Sequence, residues 1–292
     1  MKPPPFSYHR PDSLDQALEM MATLEDPKIL AGGQSLMPMM NFRYVMPANL
    51  VDINRVDELT RIEETGDALQ IGAMARQRDL ELSEVVKTRC PLLHDALLNV
   101  GHVQTRNRGT IGGSLSHLDP AAELPAALLA LDATLQVQNR RGTREVPMAD
   151  WAQGYMTPNL EFDEILTAVT IPVWPKGHGH AFVEFARRHG DFAMAGAAAL
   201  LHLSTTGEID RAAIALTGVD VGPVRLSGAE AMLTSNSPDD AAFAAAAETA
   251  SAVPGLDDVH ATAAYRRKLA VVMTRRALQR AYDGIMDGGG ND

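Results

Sequence analysis

Two short glycine-containing segments of this chain have the residue types and the spacing needed to bind a ligand. The first is Ala31–Ser35, with the sequence Ala-Gly-Gly-Gln-Ser, and the second is Thr110–Ser114, with the sequence Thr-Ile-Gly-Gly-Ser. Glycine tolerates a positive φ and has no side chain, so a Gly-Gly turn can direct consecutive N–H groups at phosphate oxygens, while the serine adds a hydroxyl donor. These segments, called here the first and second glycine loops, could together bind both phosphates of a dinucleotide.

The charges around the two loops favour an anion as their ligand. Residues 27–51 and 96–118 contain no acidic residue, although Asp and Glu make up 37 of the 292 residues and the formal net charge is −11. Arg106 and Arg108 lie just before the second loop. One Gly-Gly pair is also an ordinary turn signal, but two pairs in acid-free segments beside arginines predict a local anion site.

The elements around the loops predict an α+β fold. Ser13–Gln16 is a capping box that starts a helix reaching about Leu24, and residues 28–31 read as a strand that runs into the first glycine loop. After the second loop, Asp119 and Pro120 predict a helix with Asp as N-cap and Pro at its first position, with Glu123 one turn later. The alternative, that His117, Asp119 and Glu123 bind a metal, is weaker.

Residues 172–180 are rich in turn formers and predict a domain boundary. Beyond it, residues 182–188, 195–203 and 212–218 read as three strands, and residues 238–252 and 260–282 as helices. Arg266 and the other arginines of the last helix are expected on its solvated face. The predicted domains are 1–176, with sublobes of about 1–57 and 58–176, then 177–286, then a disordered tail, 287–292.

Composition excludes several classes of protein. The negative net charge argues against nucleic acid or an anionic membrane as partner. The single cysteine, Cys90, excludes internal disulfides and cannot ligate an iron–sulfur cluster, so a cytoplasmic location is expected. No apolar segment reaches the length of a bilayer span. The nucleophile elbow, the zinc-protease motif and the Rossmann glycine motif are all absent from the sequence.

Longer strings around the loops resemble the FAD-binding medium subunit of molybdenum hydroxylases, a family that includes carbon monoxide, quinoline, nicotine and xanthine dehydrogenases. The resemblance covers nearly the whole chain. The matching segments are 28–36, 51–53, 106–114, 117–125, 163–166, 171–172, 190–193 and 265–270.

The resemblance implies a two-lobed FAD-binding domain of the PCMH, vanillyl-alcohol-oxidase-like type, followed by a three-stranded antiparallel sheet with helices. It implies non-covalent FAD on this chain, a molybdenum cofactor on a large partner and [2Fe–2S] clusters on a small partner, assembled as a dimer of heterotrimers. FAD would receive electrons from the clusters and pass them to an external acceptor. No side chain of this chain is then needed as a catalytic base. Two alternatives stay open: a freestanding FAD oxidoreductase, and a non-catalytic assembly subunit that keeps the fold.

The resemblance also implies individual cofactor contacts. Glu123 would accept a hydrogen bond from a hydroxyl of the FAD sugar chain, Leu166 would pack near the adenine, and Phe192 would pack on the isoalloxazine. Some relatives carry a lysine near Val183 that this chain lacks, and Arg187 or Arg188 is expected to replace it. The full set of expected cofactor-binding residues is Leu30, Ala31, Gly32, Gly33, Gln34, Ser35, Thr110, Ile111, Gly112, Gly113, Ser114, Glu123, Leu166, Arg187 and Phe192.

Overall fold

A computed structural model describes residues 1–288, and its first part is a small parallel sheet with two helices. The elements are β1 (Ser7–His9), α1 (Leu14–Thr23), β2 (Pro27–Leu30), α2 (Leu36–Asn41) and β3 (Asn49–Asp52). The strands pair in the order β1-β3-β2. Helix α1 begins where the capping box predicts, because the Ser13 hydroxyl accepts a hydrogen bond from the Gln16 N–H. Parallel strands end at one edge of a sheet, so the first glycine loop and the residues after Asp52 lie side by side.

The second part is an antiparallel sheet that packs against a layer of short helices. Its elements are β4 (Ile62–Thr65), β5 (Ala68–Gly72), α3 (Gln77–Leu82), α4 (Glu84–Arg89), α5 (Pro91–Leu97), α6 (Val103–Arg108), α7 (Ile111–His117), α8 (Glu123–Ala130), β6 (Thr134–Asn139), β7 (Gly142–Pro147), β8 (Ala152–Gly154), β9 (Thr157–Pro158) and β10 (Ile165–Pro172). The main sheet has the order β4-β5-β10-β6-β7, and β8 pairs with β9. Every residue of α8 is buried, so this helix is central to the core. Cys90 is also buried there.

The prediction that Asp119 caps a helix is wrong. Helix α8 begins only at Glu123, and the Asp119 carboxylate instead accepts a hydrogen bond from the Ala121 N–H, 2.8 Å away, in the preceding turn. The carbonyl of Pro120 accepts from the Gly218 N–H at 2.8 Å, and the Thr217 hydroxyl lies 3.0 Å from the same oxygen. These contacts with the C-terminal sheet occupy the Pro120 carbonyl, so that it is not part of the helix, and α8 starts at a later residue.

The C-terminal part begins after residues 173–178, which connect β10 to the next strand. Its elements are β11 (Gly179–Phe185), β12 (Ala195–Leu203), β13 (Ile209–Thr217), β14 (Val224–Arg225), α9 (Ser227–Leu233), α10 (Asp240–Glu248) and α11 (Ala263–Gly288). The first three strands form the expected antiparallel sheet, and the two-residue β14 adds a short fourth strand. Helix α11 includes Asp287 and Gly288, which the sequence assigned to the tail, and the remaining tail residues, 289–292, lie outside the described residues.

The C-terminal sheet is packed on both faces, and the alternation of its side chains shows what covers each face. Phe182, Ala198 and Leu200 belong to the core of the second part, which contains α5 and α8. Their neighbours along the strands, such as Val183 and Ala199, belong to a separate core with α11. Because successive strand residues point to opposite faces, the sheet lies between the helices of the second part and α11. No helix within residues 1–288 has the length and apolar character needed to cross a bilayer.

Candidate functional site

The two glycine loops are in direct contact. Gly32 packs against Arg108 and Gly109, the two residues just before the second loop. A methyl group on Gly32 would overlap the backbone of Arg108 and lie 2.9 Å from the Gly109 Cα. A methyl group on Gly113 would lie 3.7 Å from the Ala31 Cβ. The structure therefore brings together the segments that the sequence predicted to act jointly, although about eighty residues separate them in the chain.

The first glycine loop presents unpartnered backbone donors. Within residues 1–288, the N–H groups of its five residues have no hydrogen-bond acceptor. Gly33 has a φ of +72°, a conformation that side chains rarely adopt. Ser35 precedes α2 and its hydroxyl makes no capping hydrogen bond. Backbone donors and a free hydroxyl gathered in one turn are the chemistry that binds phosphate oxygens.

The second glycine loop uses its backbone donors inside the protein. Four consecutive N–H groups at the start of α7 are all hydrogen-bonded, and the acceptors belong to the segment after β5 or to the loop's own first residue. These bonds join Ile111 N to Ala75 O at 3.1 Å, Gly112 N to Ala73 O at 2.9 Å, Gly113 N to Thr110 Oγ1 at 3.0 Å and Ser114 N to Thr110 O at 3.1 Å. What this loop can still offer a ligand is the hydroxyl group of the half-buried Ser114, because Thr110 is 1% exposed and its hydroxyl caps α7.

A network of polar side chains, which the sequence analysis missed, connects the two loops and fixes their relative position. Asn54 donates to the Ala31 carbonyl at 2.8 Å, and its own side-chain oxygen accepts from the Arg76 guanidinium at 2.5 Å. Arg76 also donates to the Arg108 carbonyl, and its backbone pairs with Thr110. Arg76 therefore connects the first loop, through Asn54, to the second. Burial, together with the charge of Arg108, lowers the pKa of Arg76.

A carboxylate lies at the edge of the site, just beyond the acid-free segment. Asp52 ends β3 and accepts hydrogen bonds from the Tyr8 hydroxyl at 2.5 Å and the Asn54 N–H at 2.9 Å. Burial raises the pKa of Asp52, but the hydrogen bonds from Tyr8 and Asn54 outweigh it, so the net pKa lies below its ordinary value. The acid-free segment of the sequence thus does not produce an acid-free site.

The first loop lines a cleft of about 440 Å³. The residues around it come from the loop, from α2, from the end of β3 and from the approach to the second loop. They are Leu30, Ala31, Gly32, Gly33, Gln34, Met37, Pro38, Asn41, Asp52, Asn54 and Arg108. Asp52 is the last residue of β3, which is parallel to β2, and Asn54 follows two residues later. That position could have identified both residues from the sequence, since ligands bind where parallel strands end.

Of the two arginines before the second loop, only Arg108 reaches the cleft. Arg106 is buried, and its guanidinium donates to Glu81 at 2.7 Å and to the Val100 carbonyl at 2.8 Å. Burial raises the pKa of Glu81, but the hydrogen bond and the charge of Arg106 lower it by more. The net pKa of Glu81 therefore lies below its ordinary value. Arg106 therefore holds α3 to α6, and the expectation that both arginines face an anion is wrong for Arg106.

The residues expected at the isoalloxazine lie in an exposed loop between β11 and β12. Phe192 is 70% exposed and Arg187 is also exposed. The loop rests on the start of α6, because a methyl group on Gly190 would lie 2.6 Å from the His102 ring. Arg108 lies at the other end of the six-residue α6 and lines the cleft. The loop that carries Phe192 and the cleft are therefore about 9 Å apart along this helix.

The other two expected contact residues are buried. Leu166 is 3% exposed and packs in the core of the second part, so its contact with an adenine stays a prediction. Glu123 is 8% exposed, and burial raises its pKa to about 7. Within residues 1–288, no group of three or more His, Cys, Asp or Glu side chains is arranged to hold a metal ion. The arrangement can bind and orient an anionic ligand.

Comparison with known proteins identifies relatives along both domains. Residues 4–174 match the family described as the FAD binding domain in molybdopterin dehydrogenase, and residues 180–281 match the CO dehydrogenase flavoprotein C-terminal domain. The 6-hydroxypseudooxynicotine dehydrogenase complex subunit alpha of Paenarthrobacter nicotinovorans is 42% identical over 96% of each chain. Caffeine dehydrogenase subunit beta of Pseudomonas sp. (strain CBB1) is 39% identical over 98% of each chain. A chain of the carbon monoxide dehydrogenase structure from Hydrogenophaga pseudoflava has a TM-score of 0.95 and 37% identity, covering 97% of this chain and 99% of that one.

These matches confirm the resemblance seen in the sequence, the α+β fold with its FAD-binding and C-terminal domains, and FAD as the cofactor of this chain. The relatives are subunits of dehydrogenases, which makes the chain a component of an oxidoreductase. The chain belongs to the FAD-binding medium subunits of the molybdenum hydroxylases in the carbon monoxide dehydrogenase and xanthine dehydrogenase family.

Proposed function

We propose that this chain carries FAD in a three-component molybdenum hydroxylase, accepts electrons from the [2Fe–2S] clusters of a small subunit and passes them to an external acceptor. A large subunit would hold the molybdenum cofactor and oxidise the substrate, and the complex would form a dimer of heterotrimers. Relatives named as the alpha or beta subunit of a dehydrogenase, or as the medium subunit of a hydroxylase, support the assembly. The single buried cysteine supports iron–sulfur clusters on another chain, and a reducing, cytoplasmic location.

The observation that carries the proposal is the set of five unpartnered N–H groups in the first glycine loop, beside Arg108 and in contact with the second loop. Unpartnered donors in a loop that lines a cleft fit a diphosphate, since phosphate oxygens accept hydrogen bonds and carry negative charge. The contact between Gly113 and Ala31 brings the second loop, with its half-buried Ser114, against the first loop. The residues present therefore fit the cofactor that the family implies.

The chain's own residues bind and orient the cofactor rather than perform acid–base chemistry on a substrate. The first loop would hold the diphosphate, with the hydroxyls of Ser35 and the second loop as further donors. Glu123 would accept a hydrogen bond from a sugar-chain hydroxyl, and Leu166 would pack near the adenine. Arg187 and Phe192 would lie at the isoalloxazine. When bound, FAD supplies the ability to accept two electrons and release them singly or in pairs.

Two other functions remain as competitors. A freestanding FAD oxidoreductase would contain the same loops and would turn over a small substrate without partners. A non-catalytic assembly subunit would keep the fold and bind no flavin. The lack of a metal-binding cluster within residues 1–288 agrees with a subunit whose substrate chemistry lies on another chain. The unpartnered donors of the first loop favour a flavin-binding chain over an assembly subunit.

The test is the cofactor content of the purified full chain and of the complex that contains it. We expect a yellow protein that releases FAD, and not FMN, on denaturation, because two phosphate groups are needed to occupy the donors described. Iron and molybdenum should be found only when two further polypeptides co-purify. Released FMN, or stoichiometric iron in the full chain expressed alone, would contradict the proposal, and turnover of a small substrate by that chain would favour the freestanding enzyme.

A further inference from the structure

The long C-terminal helix α11 has a charge opposite to that of the rest of the chain. Residues 263–282 contain five arginines and one lysine and no acidic residue. The whole chain has 26 cationic and 37 acidic side chains, so the remainder has 20 cations and all 37 acids. An acidic protein thus carries one strongly basic element.

Three of the six cations of α11 bind other groups of this chain. Arg266, which the sequence placed on a solvated face, is buried because it donates to Asp258 at 2.6 Å and to two backbone carbonyls next to β12 and β13 at 2.7 Å each. Arg267 donates to a backbone carbonyl at 2.6 Å. Arg275 lies 3.3 Å from Asp240 of α10. These contacts attach α11 to the rest of the C-terminal part.

The other three cations are exposed and lie on one side of the helix. Lys268, Arg276 and Arg280 make no hydrogen bond or ion pair within residues 1–288. Tyr265 and Val272 lie among them, and each is 43% exposed. Because helix residues three or four positions apart are neighbours, these five residues form a stripe about 22 Å long, called here the basic face of α11. The opposite side of the helix packs on the C-terminal sheet.

The stability of the helix does not account for the basic face. Cations stabilise a helix in its last turn, and the last turn of α11 contains none. No acidic residue lies three or four positions from Lys268 or Arg276, and Asp283, three positions after Arg280, accepts from Gln279 at 2.9 Å. Arg276 and Arg280 are instead like charges four positions apart, which destabilises a helix. An anionic group that covers the face would relieve this repulsion.

The surroundings of the basic face favour an acidic protein surface as that anionic group. An acidic protein is repelled by most of this chain and attracted by α11, so the helix would determine where it docks. Tyrosine and arginine are enriched at protein interfaces, and Tyr265 and Val272 add apolar contact area beside the cations. A bilayer fits less well, because the apolar side of α11 is already buried against the sheet. A nucleic acid would extend beyond the helix onto the acidic remainder of the chain.

We propose that the basic face of α11 docks an acidic surface of another polypeptide of the complex. The inference rests on the assembly in the proposed function, and it adds the place and the charge of one contact. Helix α11 lies on the side of the C-terminal sheet opposite α5 and α8, whereas the first glycine loop lines the cleft. The contact and the cleft therefore use separate parts of the molecule, and the contact can be weakened while FAD is retained.

The test is dissociation of the purified complex on dilution, followed by sedimentation at low and at high salt. The triple variant Lys268→Glu, Arg276→Glu, Arg280→Glu should raise the dissociation constant of this chain by about tenfold or more at low salt, because an attractive contact becomes repulsive. In about 0.5 M salt the effect should fall to within about threefold, since exposed charges are screened. The matched control reverses three exposed cations elsewhere and changes the net charge equally: Lys2→Glu, Arg61→Glu, Lys176→Glu. It should stay within about twofold of the wild type.

The FAD content of each complex, measured in the same samples, should be equal and shows that the variants are folded. A helix variant that dissociates no more readily than the control would overturn the inference. Self-association of the wild-type chain, or its binding to duplex DNA, lost in the helix variant and kept in the control, would assign the face to another occupant and would also overturn it. A wild type that purifies without any other polypeptide would overturn the assembly together with this inference. Failure of the proposed cofactor role looks different, because the wild-type chain would then contain no FAD.

Discussion

The two glycine loops have nearly the same sequence pattern and opposite roles in the structure. Both contain Gly-Gly near a serine, but the first loop precedes α2, whereas all of the second loop after Thr110 lies in the first turn of α7. The first leaves its five N–H groups without acceptors within residues 1–288, whereas four consecutive N–H groups of the second are bonded inside the protein. The first loop is thus a donor surface for a ligand, and the second is a scaffold against which the first is held.

The glycines themselves differ in the reason for which each is needed. Gly33 adopts a φ of +72°, and Gly32 is in close contact with the backbone of Arg108. Gly112 packs against Ala73, where a methyl group would lie 2.7 Å from the carbonyl oxygen. A pair of glycines in a sequence therefore marks a position where the backbone has an unusual φ or a very close neighbour. Only the folded structure shows whether a ligand or another segment of the backbone requires the glycine.

The largest effect is expected from Gly32→Ala, because the new methyl group would force the first loop away from Arg108 and Gly109. Overpacking of this kind costs roughly 1–3 kcal/mol, which predicts a loss of FAD affinity between about fivefold and about 150-fold. The measurement is FAD titration of the flavin-free chain. Gly228→Ala is the control, since nothing lies within 4 Å of a methyl group there. Equal affinity in the two variants would show that the contact between the loops is unimportant for binding.

Arg76→Lys should have the next largest effect. Lysine keeps the positive charge but cannot donate to both the Arg108 carbonyl and Asn54, so the loops should lose their register. Hydrogen bonds to charged groups contribute about 1.5–3 kcal/mol, which predicts at least a tenfold loss of FAD affinity. Arg61→Lys, at a site 67% exposed, is the control. Normal FAD binding by Arg76→Lys would mean that only the charge of Arg76 matters.

Ser35→Ala and Thr110→Val compare the hydroxyls of the two loops directly. The Ser35 hydroxyl makes no capping bond, so its removal should weaken FAD binding about fivefold, or about 1 kcal/mol, and leave the unfolding free energy of the flavin-free chain unchanged. Thr110 caps α7, so Thr110→Val should lower that unfolding free energy by about 1 kcal/mol. Chemical denaturation and FAD titration measure both quantities. The reverse pattern would exchange the roles assigned to the two loops.

Phe192→Ala should have the smallest effect on FAD retention, within about twofold, because the diphosphate donors stay intact. Loss of the aromatic face should admit water to the isoalloxazine and alter the flavin spectrum and the rate of acceptor reduction in the complex. Phe162→Ala is a matched control, since Phe162 is 76% exposed and Phe192 is 70% exposed. If both variants leave the spectrum and the rate unchanged, the isoalloxazine lies elsewhere.

Much of the fold could be predicted from the sequence where local signals act alone. The capping box of α1 forms as expected, and β12 spans residues 195–203 as its apolar run indicates. The strand before the first loop was also predicted to within one residue at its end. The errors occur where distant segments meet. Asp119 fails to start α8 because the C-terminal sheet binds the Pro120 carbonyl, and Arg106 is withdrawn from the anion site by Glu81.

The sequence by itself determined the family, the cofactor and the two segments that form the site, because glycine pairs in acid-free segments and the strings around them are local properties of the chain. Tertiary structure decided which loop has donors to offer, because the acceptors for the Ile111 and Gly112 N–H groups are carbonyls of the segment that follows β5. It also brought the C-terminal sheet to the start of α8, where the Thr217 hydroxyl donates to the carbonyls of Pro120 and Ala122. Burial and pairing depend on all neighbours of a residue, and those neighbours exist only in the folded chain.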